Sequence, residues 1–215
     1  MAEIPRIFVL AGVNGAGKSS IGGAMLRAQG ADYFNPDEAA RRFRTEIPSL
    51  SETQANAAAW REGRRLLEKA ITEGLDFAFE TTLGGNTLTR LLEKAVDKGF
   101  EVRVWYVGLA GVDLHIARVR SRVEHGGHDI PEEKIRERYD ASRRNLIRLL
   151  PSLTELRVYD NSREADLLAG DAPEPVLIVH TENGRTVSSC DPASTPEWAK
   201  PIFAAALKLW GQRRT

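Results

Sequence analysis

A phosphate-loop motif, G-x-x-x-x-G-K-[ST], occurs at residues 12–19 as Gly-Val-Asn-Gly-Ala-Gly-Lys-Ser. The apolar run Ile7–Ala11 predicts a buried strand before it, and residues 18–28 predict a helix after it. In that setting the backbone N–H groups of the loop surround phosphate oxygens, whereas a glycine-rich turn that binds nothing is the alternative. We predict a nucleotide site in which Lys18 contacts the β- and γ-phosphates and Ser19 contacts Mg²⁺. The residues assigned to nucleotide binding are Asn14, Gly15, Ala16, Gly17, Lys18, Ser19 and Ser20.

Short apolar runs alternate with helical patterns along the chain, which predicts an α/β fold with a mainly parallel sheet between helices. Residues 112–150 form an arginine-rich helical segment that is predicted to be a lid, and residues 174–212 should form a small β-hairpin and a helix. One domain covering residues 1–215 is expected for this length. After the first strand, the predicted strands are Tyr33–Phe34, Asp76–Glu80, Val102–Val107 and Val158–Tyr159, and the hairpin strands are Val176–Thr181 and Thr186–Ser189.

Helix ends are marked by local signals. Asn35 is a predicted cap, with Pro36 in the first helical position. Ser51 and Gln54 have the spacing of a capping box, and Gly74 should end the helix that they begin. Further helices are predicted at Leu88–Lys98, Val112–Val123, Pro131–Leu149 and Pro196–Leu209.

Composition excludes several classes of protein. The chain has 30 basic and 30 acidic residues, a balance that makes nucleic acid an unlikely partner. Its single cysteine, Cys190, cannot form an internal disulfide and indicates a reducing compartment. No apolar stretch approaches the roughly 18 residues of a membrane span, and the N-terminus lacks the pattern of a signal peptide, so we expect a cytoplasmic protein without a membrane segment. The guanine-reading sequence Asn-Lys-x-Asp is absent, which favours ATP over GTP.

Two carboxylates follow predicted strands at the sheet edge that holds the phosphate loop. Asp37 follows the second predicted strand and Glu80 ends the third, so both should face the γ-phosphate. Asp37 is predicted to accept the proton of an acceptor hydroxyl, or it only occupies a helical turn where the dipole favours an acid. Glu80 would hold a magnesium-bound water or a substrate hydroxyl, or would hydrogen-bond the backbone of the loop. Thr81 and Thr82 either contact substrate or cap the next helix.

The predicted lid is rich in arginine. The rigid guanidinium fork suits the oxygens of a phosphoryl group in transfer, so these arginines are candidates to bind it. The glycines at 126 and 127 would form a hinge, and His128 would contact phosphate or substrate. Interleaved glutamates offer an alternative in which the arginines only form surface ion pairs. That alternative is preferred for Arg120, Arg136 and Arg143.

Together these segments resemble the zeta toxin family, and more narrowly its short branch, over roughly residues 5–165. The resemblance rests on residues 12–19, 79–83, 118–131, 138–139 and 159–162 and on Asp37. It implies a P-loop NTPase/kinase fold and the transfer of phosphate from ATP with Mg²⁺ to the 3′-hydroxyl of UDP-N-acetylglucosamine. It also implies that Asp37 is the catalytic base, that Glu80 and Thr82 contact the nucleotide sugar, and that Asn161 lies near the adenine. By the same resemblance, Arg118, Arg122 and Arg138 are the lid arginines that bridge the phosphates.

The sequence departs from the family pattern at several points. The lid is short, and His128 stands about where the family has a second arginine. A substrate-binding threonine is represented by two candidates, Thr87 and Thr89, and residues 176–189 lie outside the resemblance. The leading function is therefore a small-molecule kinase with UDP-N-acetylglucosamine as its first candidate acceptor. The alternatives are a kinase for another metabolite or an antibiotic, and a nucleotide-binding module paired with a small helical antitoxin.

Overall fold

A computed structural model describes residues 3–19, 33–163 and 174–212, and in these ranges six strands form one sheet in the order β2-β1-β3-β4-β5-β6. The first four strands in that order are parallel, and β5 and β6 are antiparallel to their neighbours. Because the parallel strands end at one edge, the segments that follow them converge there. The strands are β1 (Arg6–Ala11), β2 (Phe77–Thr81), β3 (Glu101–Gly108), β4 (Glu155–Asp160), β5 (Val176–Glu182) and β6 (Arg185–Ser189).

Six helices connect or flank the described strands, and two of them have the predicted capping signals. The side chain of Asn35 accepts hydrogen bonds from the backbone of Asp37 and Glu38. Ser51 and Gln54 form the predicted capping box, and Gly74 ends that helix in the left-handed conformation. The helices are α1 (Pro36–Glu46), α2 (Glu52–Glu73), α3 (Asn86–Asp97), α4 (Val112–Glu124), α5 (Glu132–Leu149) and α6 (Lys200–Gln212).

The main hydrophobic core lies on one face of the sheet and includes the C-terminal residues. Val9 of β1, Val104 of β3 and Leu156 of β4 pack there with buried side chains of the helices on that face. Trp198, just before α6, and Ile202 within it belong to the same cluster. The C-terminal segment is therefore part of the core that supports the parallel strands.

Two sequence predictions differ from the structure in detail. Residues 33–34 do not form a full strand: Phe34 makes an isolated parallel bridge to Phe79, because Asn35 and Pro36 begin a helix at once. The predicted C-terminal hairpin is present as β5 and β6, and β5 also pairs with β4, so the hairpin extends the sheet. The last helix begins at Lys200 instead of Pro196. The helix predicted at residues 18–28 is described only at Lys18 and Ser19, and Ser20 lies outside the described residues.

Within the described ranges, we find no helix with enough consecutive apolar residues to cross a bilayer.

Candidate active site

The phosphate loop connects the buried end of β1 to the helical turn at Lys18. Gly15 and Gly17 have φ values of 81° and 85°, in the left-handed region that glycine adopts most readily. A Cβ atom at Gly15 would lie 2.6 Å from the carbonyl oxygen of His115, so packing also demands glycine there. The loop has the curled backbone that turns N–H groups toward an anion.

Lys18, Ser19 and Glu80 form a compact group beside the loop. The hydroxyl of Ser19 donates to Glu80 Oε2 at 2.8 Å, and Lys18 Nζ lies 3.5 Å from Glu80 Oε1. Asn35, the cap of α1, donates its Nδ2 to the same Oε2 atom at 3.4 Å and to Ser19 Oγ at 3.3 Å. Lys18 and Glu80 are both buried. The structure therefore brings Glu80 to side chains of the loop region, and not to the loop backbone as the alternative proposed.

The chemistry of this group fits the nucleotide and the cation that the motif implies. A hydroxyl and a carboxylate are oxygen ligands of the kind that Mg²⁺ prefers, and Ser19 and Glu80 would hold it together with phosphate oxygens. The ammonium group of Lys18 and the loop N–H groups would bind the phosphates.

Asp37 lies in the first turn of α1 at the edge of this group. Its carboxylate is 43% exposed, and Oδ2 lies 3.9 Å from Nη1 of Arg122, which comes from the end of α4. Nη2 of Arg122 donates to the carbonyl oxygen of His128 at 2.9 Å. The arginine thus links the lid segment to the carboxylate predicted to act as a base.

The three lid arginines take different positions. Arg138 crosses from α5 and donates from Nη1 to the side-chain oxygen of Asn14 in the phosphate loop at 2.8 Å. Burial lowers the pKa of the Arg138 guanidinium, while nearby Glu137 and Asp37 act in the opposite direction. Arg118 instead donates to the carbonyl oxygen of Arg163, beyond the end of β4.

Asn161 lies directly against the phosphate loop. Its Nδ2 donates to the carbonyl oxygen of Ala16 at 2.9 Å, and its backbone N–H donates to Gly108 at 3.0 Å. The predicted place of Asn161 near the adenine of a bound nucleotide stays a prediction.

A cleft of about 760 Å³ opens beside the phosphate loop, between α2, the end of β2 and the lid. Asp37, Glu80 and Thr82 line it, so the predicted base and both predicted sugar contacts face one space. Of the two threonine candidates, Thr87 lines the cleft, whereas Thr89 is buried and donates its hydroxyl to the carbonyl of Gly85. The polar part of the lining comprises Asn14, Asp37, Glu52, Thr53, Asn56, Arg64, Glu80, Thr81, Thr82, Thr87, His128, Asp129, Lys134, Glu137 and Arg138.

His128 also lines the cleft, but its ring nitrogens pair with α2. Nδ1 contacts the carboxylate of Glu52, and Nε2 lies 3.1 Å from the side-chain amide of Asn56. His128 therefore joins the lid segment to the first two turns of α2. Its predicted contact with phosphate or substrate stays a prediction.

Sequence reasoning missed a buried histidine that supports the phosphate loop. His115 of α4 lies 2.8 Å through Nδ1 from the carbonyl oxygen of Asn14, and its ring packs edge-on against Tyr139 of α5. Burial lowers the pKa of His115 to about 4, and the positive charge of Lys18 acts in the same direction. The neutral ring therefore donates Nδ1–H to the loop at neutral pH. Its place on the apolar face with Ile116 and Val119 was the signal for a core histidine.

The free energy of unfolding should fall as the pH drops from about 6.5 to about 4, because unfolded His115 takes up a proton that the folded protein refuses. A pKa lowered by this much corresponds to a loss of about 3 kcal/mol in the free energy of unfolding at the acid end of that range. The free energy of unfolding, measured with urea at several pH values, should depend less steeply on pH in His115→Asn than in the wild type. The asparagine amide can donate in place of Nδ1 but does not titrate in this range. Equal slopes for the two proteins would contradict the assignment.

Comparison with known proteins identifies the family. The zeta toxin family model matches residues 2–172. An uncharacterized protein of Haemophilus influenzae is 32% identical over 132 residues, which are 60% of this chain and 88% of that protein.

Two solved structures share the fold at low sequence identity. A chain of the AvrRxo1-ORF1:AvrRxo1-ORF2 complex with ATP has a TM-score of 0.65 at 16% identity over 94% of this chain, and the match spans 64% of that longer chain. A chain from the PezAT toxin–antitoxin system of Streptococcus pneumoniae has a TM-score of 0.58 at 15% identity, covering 98% of this chain and 87% of that one. With the family model matching most of its length, and with a P-loop kinase fold, this chain belongs to the zeta toxin family.

Proposed function

We propose that this protein is an ATP-dependent phosphotransferase that phosphorylates a hydroxyl group of a small molecule, with the 3′-hydroxyl of UDP-N-acetylglucosamine as the first candidate. The observation that carries the proposal is the meeting of the phosphate loop, Asp37 and Arg138 at one cleft. The family membership and the ATP complex of a protein with the same fold support ATP as the donor.

The proposed reaction assigns a role to each side chain near the loop. The acceptor oxygen forms a bond to the γ-phosphorus, its proton passes to the carboxylate of Asp37, and the bond to the leaving ADP oxygen breaks with its electron pair. Lys18, Arg122 and Arg138 stabilise the negative charge on the transferring group and the leaving group. Mg²⁺, held by Ser19 and Glu80, would neutralise phosphate charge.

The cleft suits an acceptor of the size of a sugar nucleotide. Its volume of about 760 Å³ is within the range of small-molecule sites. Polar groups on three sides, including Asn56, Thr87 and Lys134, could orient hydroxyl and phosphate groups, and Trp60 adds an exposed aromatic surface. This lining supports a polar acceptor with a planar or sugar part.

The direct test is a phosphorylation assay with ATP, Mg²⁺ and UDP-N-acetylglucosamine, in which mass spectrometry should detect a product one phosphoryl group heavier. Lys18→Ala should yield none, because the phosphates lose their main cation. If the sugar nucleotide is not modified, a metabolite screen tests the wider proposal. Failure to phosphorylate any small molecule would contradict the kinase proposal itself.

A small helical antitoxin is the proposed protein partner. The two solved relatives come from a toxin–antitoxin system and from a two-component complex, which supports this proposal by likeness of fold. Co-expression with the product of a neighbouring gene, followed by size-exclusion chromatography, should give one complex if the proposal is correct.

A further inference from the structure

Trp198 is a buried residue of the C-terminal segment that lies beyond the family match at residues 2–172. Its ring stacks on Tyr106 of β3, with centroids 6.2 Å apart, and covers Gly108 at the end of that strand. A Cβ atom at Gly108 would lie 2.4 Å from the nearest atoms of the indole ring. The end of β3 and the indole are therefore in close contact.

Hydrogen bonds connect the indole to the end of β4. Trp198 Nε1–H donates to Oδ1 of Asp160 at 3.0 Å, and the hydroxyl of Ser162 donates to the same oxygen. Ser162 Oγ in turn accepts the backbone N–H of Ala110 at 2.7 Å. A buried indole N–H requires an acceptor, and a carboxylate is a strong one, so Asp160 is held in a defined position.

The residue after Asp160 connects the end of β4 to the phosphate loop. Asn161 follows Asp160 directly and donates from Nδ2 to the carbonyl oxygen of Ala16. Its backbone N–H donates to the carbonyl oxygen of Gly108, the residue that the indole covers. A continuous set of contacts thus runs from Trp198 through Asp160 and Asn161 to the loop.

We propose that Trp198 is a positioning residue that holds residues 160–163 against the phosphate loop and thereby sets the affinity for the nucleotide. The part concerning nucleotide affinity rests on the function proposed above. The physical reason is that the 161–163 segment belongs to no helix or strand, so its orientation depends on these side-chain contacts. A residue outside the family match would then determine how tightly the nucleotide binds.

The first test replaces Trp198 with phenylalanine, which keeps an aromatic ring but removes the donor. Hydrogen–deuterium exchange without nucleotide should become faster at Ala110 and in residues 160–163. The Kd and KM for ATP should rise about tenfold, the factor expected for one lost charge-assisted hydrogen bond, while kcat changes little. Phe203→Leu is the matched control: Phe203 is buried on α6 in the same core, so its loss should lower Tm without changing exchange at these residues or the Kd.

The second test is a double-mutant cycle with Asp160→Ala. If Trp198 acts through Asp160, the effects of the two substitutions on the Kd should be strongly non-additive. Gly108→Ala, which forces the indole away, should give the same pattern of exchange as Trp198→Phe. Additive effects, or wild-type exchange in Trp198→Phe, would overturn the proposal. Since exchange is measured without nucleotide, failure of the wild type to bind ATP would contradict the proposed function separately.

Discussion

Asp37→Asn should lower kcat by about 10²- to 10⁴-fold, because the amide cannot take the proton of the acceptor hydroxyl. The affinity for ATP should stay near that of the wild type, since Lys18 and the loop backbone bind the phosphates. Asp37 lines the cleft and is 43% exposed, so the substitution should not disturb packing. Steady-state kinetics together with calorimetric titration of an ATP analogue would check both parts.

Glu38 provides the matched control for Asp37. Both carboxylates lie in the first turn of α1, where the helix dipole stabilises an acid by less than about 1 kcal/mol. If Asp37 has only that role, Asp37→Asn and Glu38→Gln should have the same small effect on Tm and neither should change kcat. A large loss of kcat confined to Asp37→Asn would establish its role in the chemistry.

Arg122→Ala should reduce kcat by about 10³-fold, if this guanidinium meets the transferring phosphoryl group as proposed. The side chain lies beside Asp37 and donates a hydrogen bond to the carbonyl oxygen of His128 in the lid. Its loss therefore removes a positive charge next to Asp37 and a contact that orders the lid. Binding of ATP should change little, because arginines of this kind act mainly on the transition state.

The control for Arg122 is Arg136→Ala. Arg136 is half exposed and pairs with Asp113 on the surface, so we expect a change of less than about 1 kcal/mol in stability and none in kcat. Arg143 is a poorer control, because it stacks on Tyr139 at 4.0 Å and donates to the carbonyl of Trp198. Unchanged kcat in Arg122→Ala would exclude the proposed role of the lid arginine.

Local signals in the sequence predicted much of the fold. The cap at Asn35, the capping box at Ser51 and the stop at Gly74 are confirmed because each depends on hydrogen bonds within a few residues of the chain. The parallel strands β1 to β4 also lie at predicted apolar runs, since such strands are buried on both faces of the sheet. The strand predicted at residues 33–34 is only a bridge, because Asn35 and Pro36 begin a helix at once. The predicted hairpin is present, but its pairing with β4 is a long-range contact that no local pattern gives.

The site residues also divide into positions that follow from the nearby sequence and contacts that depend on distant parts of the chain. Glu80 and Thr82 line the cleft, because residues at the end of a parallel strand lie at the sheet edge that holds the loop. Their contact with a nucleotide sugar stays a prediction. The partners of His128 could not be predicted, since Glu52 and Asn56 are more than 70 positions away in the chain. The hydrogen bond from Arg118 to the carbonyl oxygen of Arg163 could not be predicted either, because a helical pattern does not show which distant residue a side chain contacts.

The sequence by itself determined that a phosphate loop follows the first strand and leads into a helical turn at Lys18, and that carboxylates follow the strands. Those features are set by the conformational freedom of glycine, by strand burial and by caps, all of which act over short distances along the chain. Only the tertiary structure decided which side chains surround the loop. His115 beneath Asn14, Arg138 across it and Trp198 behind Asp160 come from segments far apart in sequence. Packing on one core brings them together, and no local pattern encodes that arrangement.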